Sequence, residues 1–224
     1  MCQLLPTFKY CRLLRLREED MSDQTDVNVK SFPPFSCEPA SLGLTGLAVA
    51  ALVLASADLG LTGSNKALMI PWAIFLGATG QLIAGLMDFK RGNMFGATAF
   101  TTYSLLWYSI GVTLFLIYFK DPNIVIDIKH YAWGLVGFLI FSLILTVASL
   151  MTNKVLFGIL VFIDLAIGAL AAHYLLTGIP EFAVGVFLIG VSLLSFYGAA
   201  AVLLNTMAGM TILPMGKAFW APRK

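Results

Sequence analysis

Residues 155–176 read VLFGILVFIDLAIGALAAHYLL, a run in which Asp164 is the sole formal charge. A helix of that length spans roughly 33 Å, close to the hydrocarbon thickness of a bilayer. A helix on the surface of a soluble protein would show one polar face. This run shows none, which is the pattern of a segment surrounded by lipid and other helices. Lys154 bounds it on one side, and Pro180 and Glu181 follow it on the other.

Five further runs of the same kind surround it: Leu42 to Leu61, Ala67 to Met87, about Phe95 to Phe119, Tyr131 to Thr152, and one that begins after Pro180 and Glu181 and runs to about Leu204. The chain of 224 residues is 59% hydrophobic and 12% charged, with a mean hydropathy of +0.88. Soluble domains carry about a quarter charged residues, so a soluble enzyme and a disordered chain are excluded as classes. A net charge of +2, with no basic patch interleaved with aromatics, also excludes a nucleic-acid partner. No run alternates with period two, and only helices or closed barrels satisfy the backbone inside lipid. The expected fold is an all-α membrane protein, six transmembrane helices bundled around a pore. It divides into a leader at 1–36, a six-helix domain at 37–208 and a tail at 209–224.

Lys and Arg fall unequally on the two sides of such a bundle, 11 with the termini and 3 opposite. The positive-inside bias therefore puts both termini in the cytoplasm of a multi-pass cell-membrane protein. The leader holds five basic and five acidic residues. Its segment Phe8 to Leu16 reads either as an amphipathic turn on the membrane surface or as disordered chain. Cys2, Cys11 and Cys37 match no zinc or C-x-x-C spacing and read as reduced thiols, with palmitoylation of Cys2 or Cys11 the alternative. The uncharged stretch from Phe182 to Gly216 is too long for one span. Asn205, Gly209 and Pro214 point to a helix end near Leu204, followed by an interfacial tail anchored by Trp220, Arg223 and Lys224.

In lipid, helices associate through close packing of small residues. Gly43 with Gly46, Gly77 with Gly80 and Ala84, Gly134 with Gly137, Gly158 with Ala169 and Ala172, and Gly198 to Ala201 place such residues at helical spacing. The polar residues inside the spans are more telling. Asp164 sits at mid-span, where an ionised Asp costs about 2.5–3.5 kcal/mol on insertion scales. Two readings stand open: a residue facing a pore or critical to packing, or a neutral Asp bonded to a backbone carbonyl. Gln81, Thr101, Thr102, Tyr103 and Ser104 add neutral hydrogen-bonding groups, which suit a path for small anions better than rings of carboxylates would. His173 reads as interfacial or as part of a proton relay, and Asp58 as solvated at its helix end. No hydrolase elbow, zincin motif, phosphate loop or metal-ligand cluster is present, so neither an enzyme nor a cofactor is expected.

Three stretches resemble the acetate uptake transporter family, which includes the bacterial succinate–acetate permeases (YaaH-type). Glu38-Pro39-Ala40-Ser41-Leu42-Gly43-Leu44 is similar to that family's Asn-Pro-Ala-Pro-Leu-Gly-Leu motif. Gly80 to Tyr103, and Asn205 to Gly216 with its Leu213-Pro214-Met215-Gly216 close, carry the rest, so that about residues 37–217 are covered. The resemblance implies a six-helix protomer in a homo-hexamer. Each protomer would have its own path for acetate and related short monocarboxylates, sometimes succinate, with proton coupling a further expectation. It also implies a constriction at Leu47, Tyr103 and Ile163 and a mouth shaped by Glu38, Pro39, Leu42 and Gly43; the polar residues Gln81, Thr102 and Asp164 within the spans are expected along the path. Tyr103 would then offer its hydroxyl to the passing carboxylate. Glu38 and Ser41 depart from the family's Asn and Pro, Leu47 from its aromatic, and Asp164 from its small hydroxyl residue. These departures keep two other readings open: a channel for a small neutral solute such as urea, an amide or ammonia, and a non-transporting membrane scaffold.

Overall fold

The computed structural model describes residues 37–63, 65–121, 123–176 and 179–220. Among them, six helices are long and apolar enough to cross a membrane: α1 (Ala40–Asp58), α2 (Met69–Arg91), α3 (Met94–Phe119), α4 (Ile128–Ser149), α5 (Lys154–Leu175) and α6 (Glu181–Ala208). No strand occurs among the described residues. The leader, with Cys2, Cys11 and the Phe8–Leu16 segment, lies outside them, as do Arg223 and Lys224. Cys37 is exposed.

Local chemistry sets the helix ends. Asn93, Asp127 and Asn153 each turn a side-chain oxygen back to a backbone N–H of the helix that follows, at 3.3, 3.0 and 3.0 Å. Gly92 and Gly209 follow α2 and α6 with φ of 73° and 64°, the left-handed conformation that stops a helix and that side chains resist. α6 therefore runs past Leu204 to Ala208. Asn205 does not break it. Instead its amide reaches forward, accepting from the N–H groups of Ile212 (2.6 Å) and Leu213 (2.9 Å) and donating to the Leu213 carbonyl (2.8 Å). The chain beyond folds back on the bundle. Val155 N–H donates to the Met215 carbonyl, and the N–H groups of Phe219 and Trp220 donate to that of Leu150.

Within α2, residues Trp72–Gly80 form a π-helix between two α-helical segments. Pro71 lies in the first turn, where its missing N–H leaves no acceptor unserved. The wider winding brings the Leu76 carbonyl against Gly46 of α1, in space that any Cβ at 46 would occupy. Gly43 plays the same part against the Phe100 ring of α3. Small residues thus set the approach of α1 to its neighbours, as lipid-embedded packing requires.

Each helix packs on the next in sequence, and α6 closes the ring on α1, where Ser192 Oγ donates to the Ala48 carbonyl at 2.9 Å. The weakest seam is α3 to α4. Gly134 and Gly137, expected to mediate packing, have no neighbouring atoms within reach of a Cβ. They line an open crevice of about 800 Å³ between α3 and α4. Two small side chains bring helices together only where the opposite face fills the notch, and here α3 does not.

Candidate functional site

Inside the ring lies a narrow cavity of about 50 Å³ whose lining is wholly apolar. α1 contributes Leu47 and Leu54. α3 contributes Tyr103, Leu106, Trp107 and Ile110, and α5 contributes Ile163, Ala166, Ile167 and Leu170; α4 and α6 complete the wall. The three residues expected at a constriction, Leu47, Tyr103 and Ile163, are all buried and all border this one void. An apolar space of this size offers nothing to replace the hydration shell of an ion.

Tyr103 presents its ring, not its hydroxyl, to the cavity. The hydroxyl lies 2.7 Å from Ser142 Oγ on α4, and Ser142 in turn donates to Asp164 Oδ1 on α5. A serine has one proton, so with that proton on the carboxylate the Tyr103 hydroxyl must donate to Ser142. It is therefore not free for a passing carboxylate, contrary to the expectation from sequence. Asp164 Oδ2 accepts from Thr146 Oγ1 at 2.6 Å. The partners of this carboxylate are two hydroxyls of α4, not a backbone carbonyl. No motif in the sequence marks Ser142 or Thr146. Their spacing of four on an otherwise apolar span is the signal that could have found them, because it puts both on one helix face.

The other path residues fall elsewhere. Thr102 borders the α3–α4 crevice and bonds its own helix through the Thr98 carbonyl at 2.7 Å. Gln81 begins the second α-helical segment of α2, is 1% exposed, and has no hydrogen-bond partner for its Oε1 among the described residues. Of the residues expected at a mouth, Pro39 immediately precedes α1, Leu42 is exposed, and Gly43 is buried against Phe100. Glu38 is held by Arg91 at 2.7 Å, so its charge is matched across from the end of α2. Fully buried Asp88 lies 3.7 Å from the same guanidinium.

The opposite end of the bundle carries a second polar group. Asp58 is not solvated but 6% exposed, and its Oδ1 meets Lys66 Nζ at 2.6 Å. Sequence separates them by a turn that no motif marks. Lys66 also reaches Glu181 Oε2 on α6 at 3.1 Å, and its backbone N–H donates to the Tyr118 hydroxyl at 2.8 Å. Burial works against the Lys66 charge, but hydrogen bonds and attraction from Asp58 and Glu181 outweigh it and hold the pKa above the ordinary lysine value. Asp58 and Lys66 border a cavity of about 30 Å³ that shares Leu54, Ile110 and Leu170 with the apolar one. His173 Nδ1 donates to the Ile179 carbonyl at 2.7 Å, and its Nε2 lies 3.6 Å from Glu181.

Six membrane-length helices closed into a ring around an apolar void define a multi-pass helical membrane protein with an interior cavity. The chain belongs to the GPR1/FUN34/yaaH family, whose model matches residues 24–217 and so begins within the leader rather than near residue 37. Among curated relatives, the succinate-acetate/proton symporter SatP of Escherichia coli is 32% identical over 189 residues, covering 80% of this chain and 95% of that protein. Acetate permease A of Emericella nidulans is 26% identical over 200 residues, covering 82% and 67%. The solved structure of the bacterial acetate channel SatP superposes with a TM-score of 0.73 at 27% identity, over 80% of this chain and 99% of that one.

Proposed function

We propose that this protein moves acetate and related short-chain monocarboxylates across the cell membrane. The route is a path inside each protomer, working as a channel or as a proton-coupled symporter. The observation that carries this reading is the pair of adjoining cavities. One is charged and holds Lys66; the next is narrow, apolar and bordered by Leu47, Tyr103 and Ile163. A short carboxylate has the matching form, a charged head on one or two carbons. The printed functions of the relatives, succinate-acetate/proton symport, acetate permeation and an acetate channel, support it from another direction.

In this reading Glu38, Pro39, Leu42 and Gly43 form the tail-side mouth, and Leu47, Tyr103 and Ile163 the tightest ring. Asp164 acts on that ring through Ser142. Gln81 and Thr102 belong to helix packing and to the α3–α4 seam. Both termini are cytoplasmic, and the protomers assemble as a hexamer. Succinate, with a second charge, would meet the apolar ring at greater cost.

One feature favours a second reading. The narrow cavity offers no polar atom to a solute. A small neutral molecule such as urea, an amide or ammonia would face less opposition there than an anion. Radiolabelled acetate uptake into proteoliposomes under a pH gradient decides between them. Uptake above that of empty vesicles, inhibited by propionate, is expected. Urea flux without acetate uptake would favour the neutral-solute channel.

A further inference from the structure

Asp58 is an unusual carboxylate. Oδ1 is engaged by Lys66, whereas Oδ2 is buried and no hydrogen-bond donor among the described residues reaches it. Buried polar atoms are normally satisfied, and an orphaned one in a cavity wall asks for a donor from outside the chain. The cavity that Asp58 and Lys66 border has room for a small polar group and is separated from the apolar void by the shared side chains of Leu54, Ile110 and Leu170.

The charges around this cavity restrict what can enter. Lys66 is shared between Asp58 from α1 and Glu181 from α6. Tyr174 from α5 and Tyr131 from α4 line it, His173 of α5 lies 3.6 Å from Glu181, and the Tyr118 hydroxyl of α3 accepts from the Lys66 backbone N–H. One ammonium already answers two carboxylates. A third carboxylate brought beside Asp58 would lie against a like charge in a water-poor space, and two such groups coexist there only by sharing a proton.

We propose that Asp58 and Lys66 form a site that binds a short carboxylate and one proton together. This rests on the transport reading above. The ligand's carboxyl group lies between Lys66 Nζ and Asp58 Oδ2. One of its oxygens accepts from the ammonium. A proton drawn from solvent sits between the other oxygen and Oδ2, and no other bond forms or breaks. The alkyl end points toward Leu54, Ile110 and Leu170. Glu181, the more exposed carboxylate of the pair, is the arm that gives way. Neutralised in this manner, the ligand meets the apolar ring without a net charge, and the site accounts for the opposition that ring would otherwise present.

Calorimetric titration of the purified full-length protein with sodium acetate, in two buffers of different ionisation heat, counts the protons taken up on binding. About one proton per acetate is expected near pH 7, with affinity falling about tenfold for each unit of pH rise. Asp58→Asn, which can itself donate to the ligand, is expected to bind with a count of zero and without that pH dependence. Lys66→Met is expected to weaken binding at least tenfold. A wild-type count of zero overturns the proposal, and so does an undiminished count in Asp58→Asn. A count abolished by His173→Gln but kept in Asp58→Asn overturns it in favour of the histidine. If Asp58→Asn does not fold, Asp58→Glu, which restores the count, supports the site, and the wild-type count still decides. Absence of wild-type acetate uptake into proteoliposomes would instead remove the transport reading itself. Uptake with no proton count removes only this site.

Discussion

Ser142 stands between Tyr103 and Asp164, 2.7 Å from the phenol and donating its one proton to the carboxylate. A ring residue on α3 and a charged residue on α5 are thereby linked through α4, and the phenol is fixed with its ring in the cavity wall. Ser142→Ala removes the link and leaves a buried phenolic hydroxyl and a carboxylate oxygen without partners. Such loss costs about 1–3 kcal/mol. A lower Tm in detergent is expected, with slower acetate uptake as the Tyr103 ring loosens.

Asp164→Asn separates a positioning role from a proton-carrying one. Each oxygen of Asp164 accepts a hydroxyl proton, as suits a group that orients its neighbours. The expected outcome is uptake slowed several-fold with its pH profile unmoved. A shifted profile, measured over a series of imposed pH gradients, would transfer proton binding from Asp58 to Asp164.

Leu47 and Ile163 border a void of about 50 Å³, too small for an indole. Leu47→Trp is expected to reduce acetate uptake at least tenfold, with overpacking lowering stability by about 1–3 kcal/mol. Tyr103→Phe keeps the ring that faces the cavity but gives up the same bond to Ser142, so uptake slowed no more than in Ser142→Ala is expected. A loss well beyond that would show that the hydroxyl does enter the path.

Arg91 lies near two carboxylates of unlike burial. Glu38 is partly exposed and Asp88 is wholly buried. Glu38→Gln removes a half-exposed pair worth about 0–1 kcal/mol. Arg91→Gln also strips the buried Asp88 of its nearest cation, and an uncompensated buried charge costs about 3–5 kcal/mol. Thermal unfolding should therefore rank Arg91→Gln well below Glu38→Gln. Equal values would mean that Asp88 does not depend on Arg91.

Lys66 supplies a test in alkali. Its pKa in the folded protein is above the ordinary 10.5. The stability it contributes is therefore fully present below that value and is lost as pH rises through the folded one. The Tm difference between wild type and Lys66→Met, followed from about pH 8 to pH 12, is expected to stay constant and then shrink at the alkaline end.

Hydropathy alone makes six spans legible, because lipid admits only helices or closed barrels and these long apolar runs lack the alternation of a barrel strand. The boundaries were less legible at the end of α6. There Asn205 reads as a helix breaker, yet its amide has backbone partners in a returning tail that only the folded chain brings near. Gly134 and Gly137 likewise read as a packing notch, since spacing cannot tell whether a neighbour fills it.

Sequence by itself determined the class, the number of helices and, through the Gly80–Tyr103 resemblance, the family. Those properties depend on composition and on short local patterns. Tertiary structure decided where the chemistry lies. It brought Leu47, Tyr103 and Ile163 to one cavity, turned the Tyr103 hydroxyl away from it, and buried Asp58 beneath Lys66 and Glu181. Each of those relations joins residues on different elements of the fold. The rotation of one helix against another is set by packing across the whole ring, and no local stretch of sequence records it.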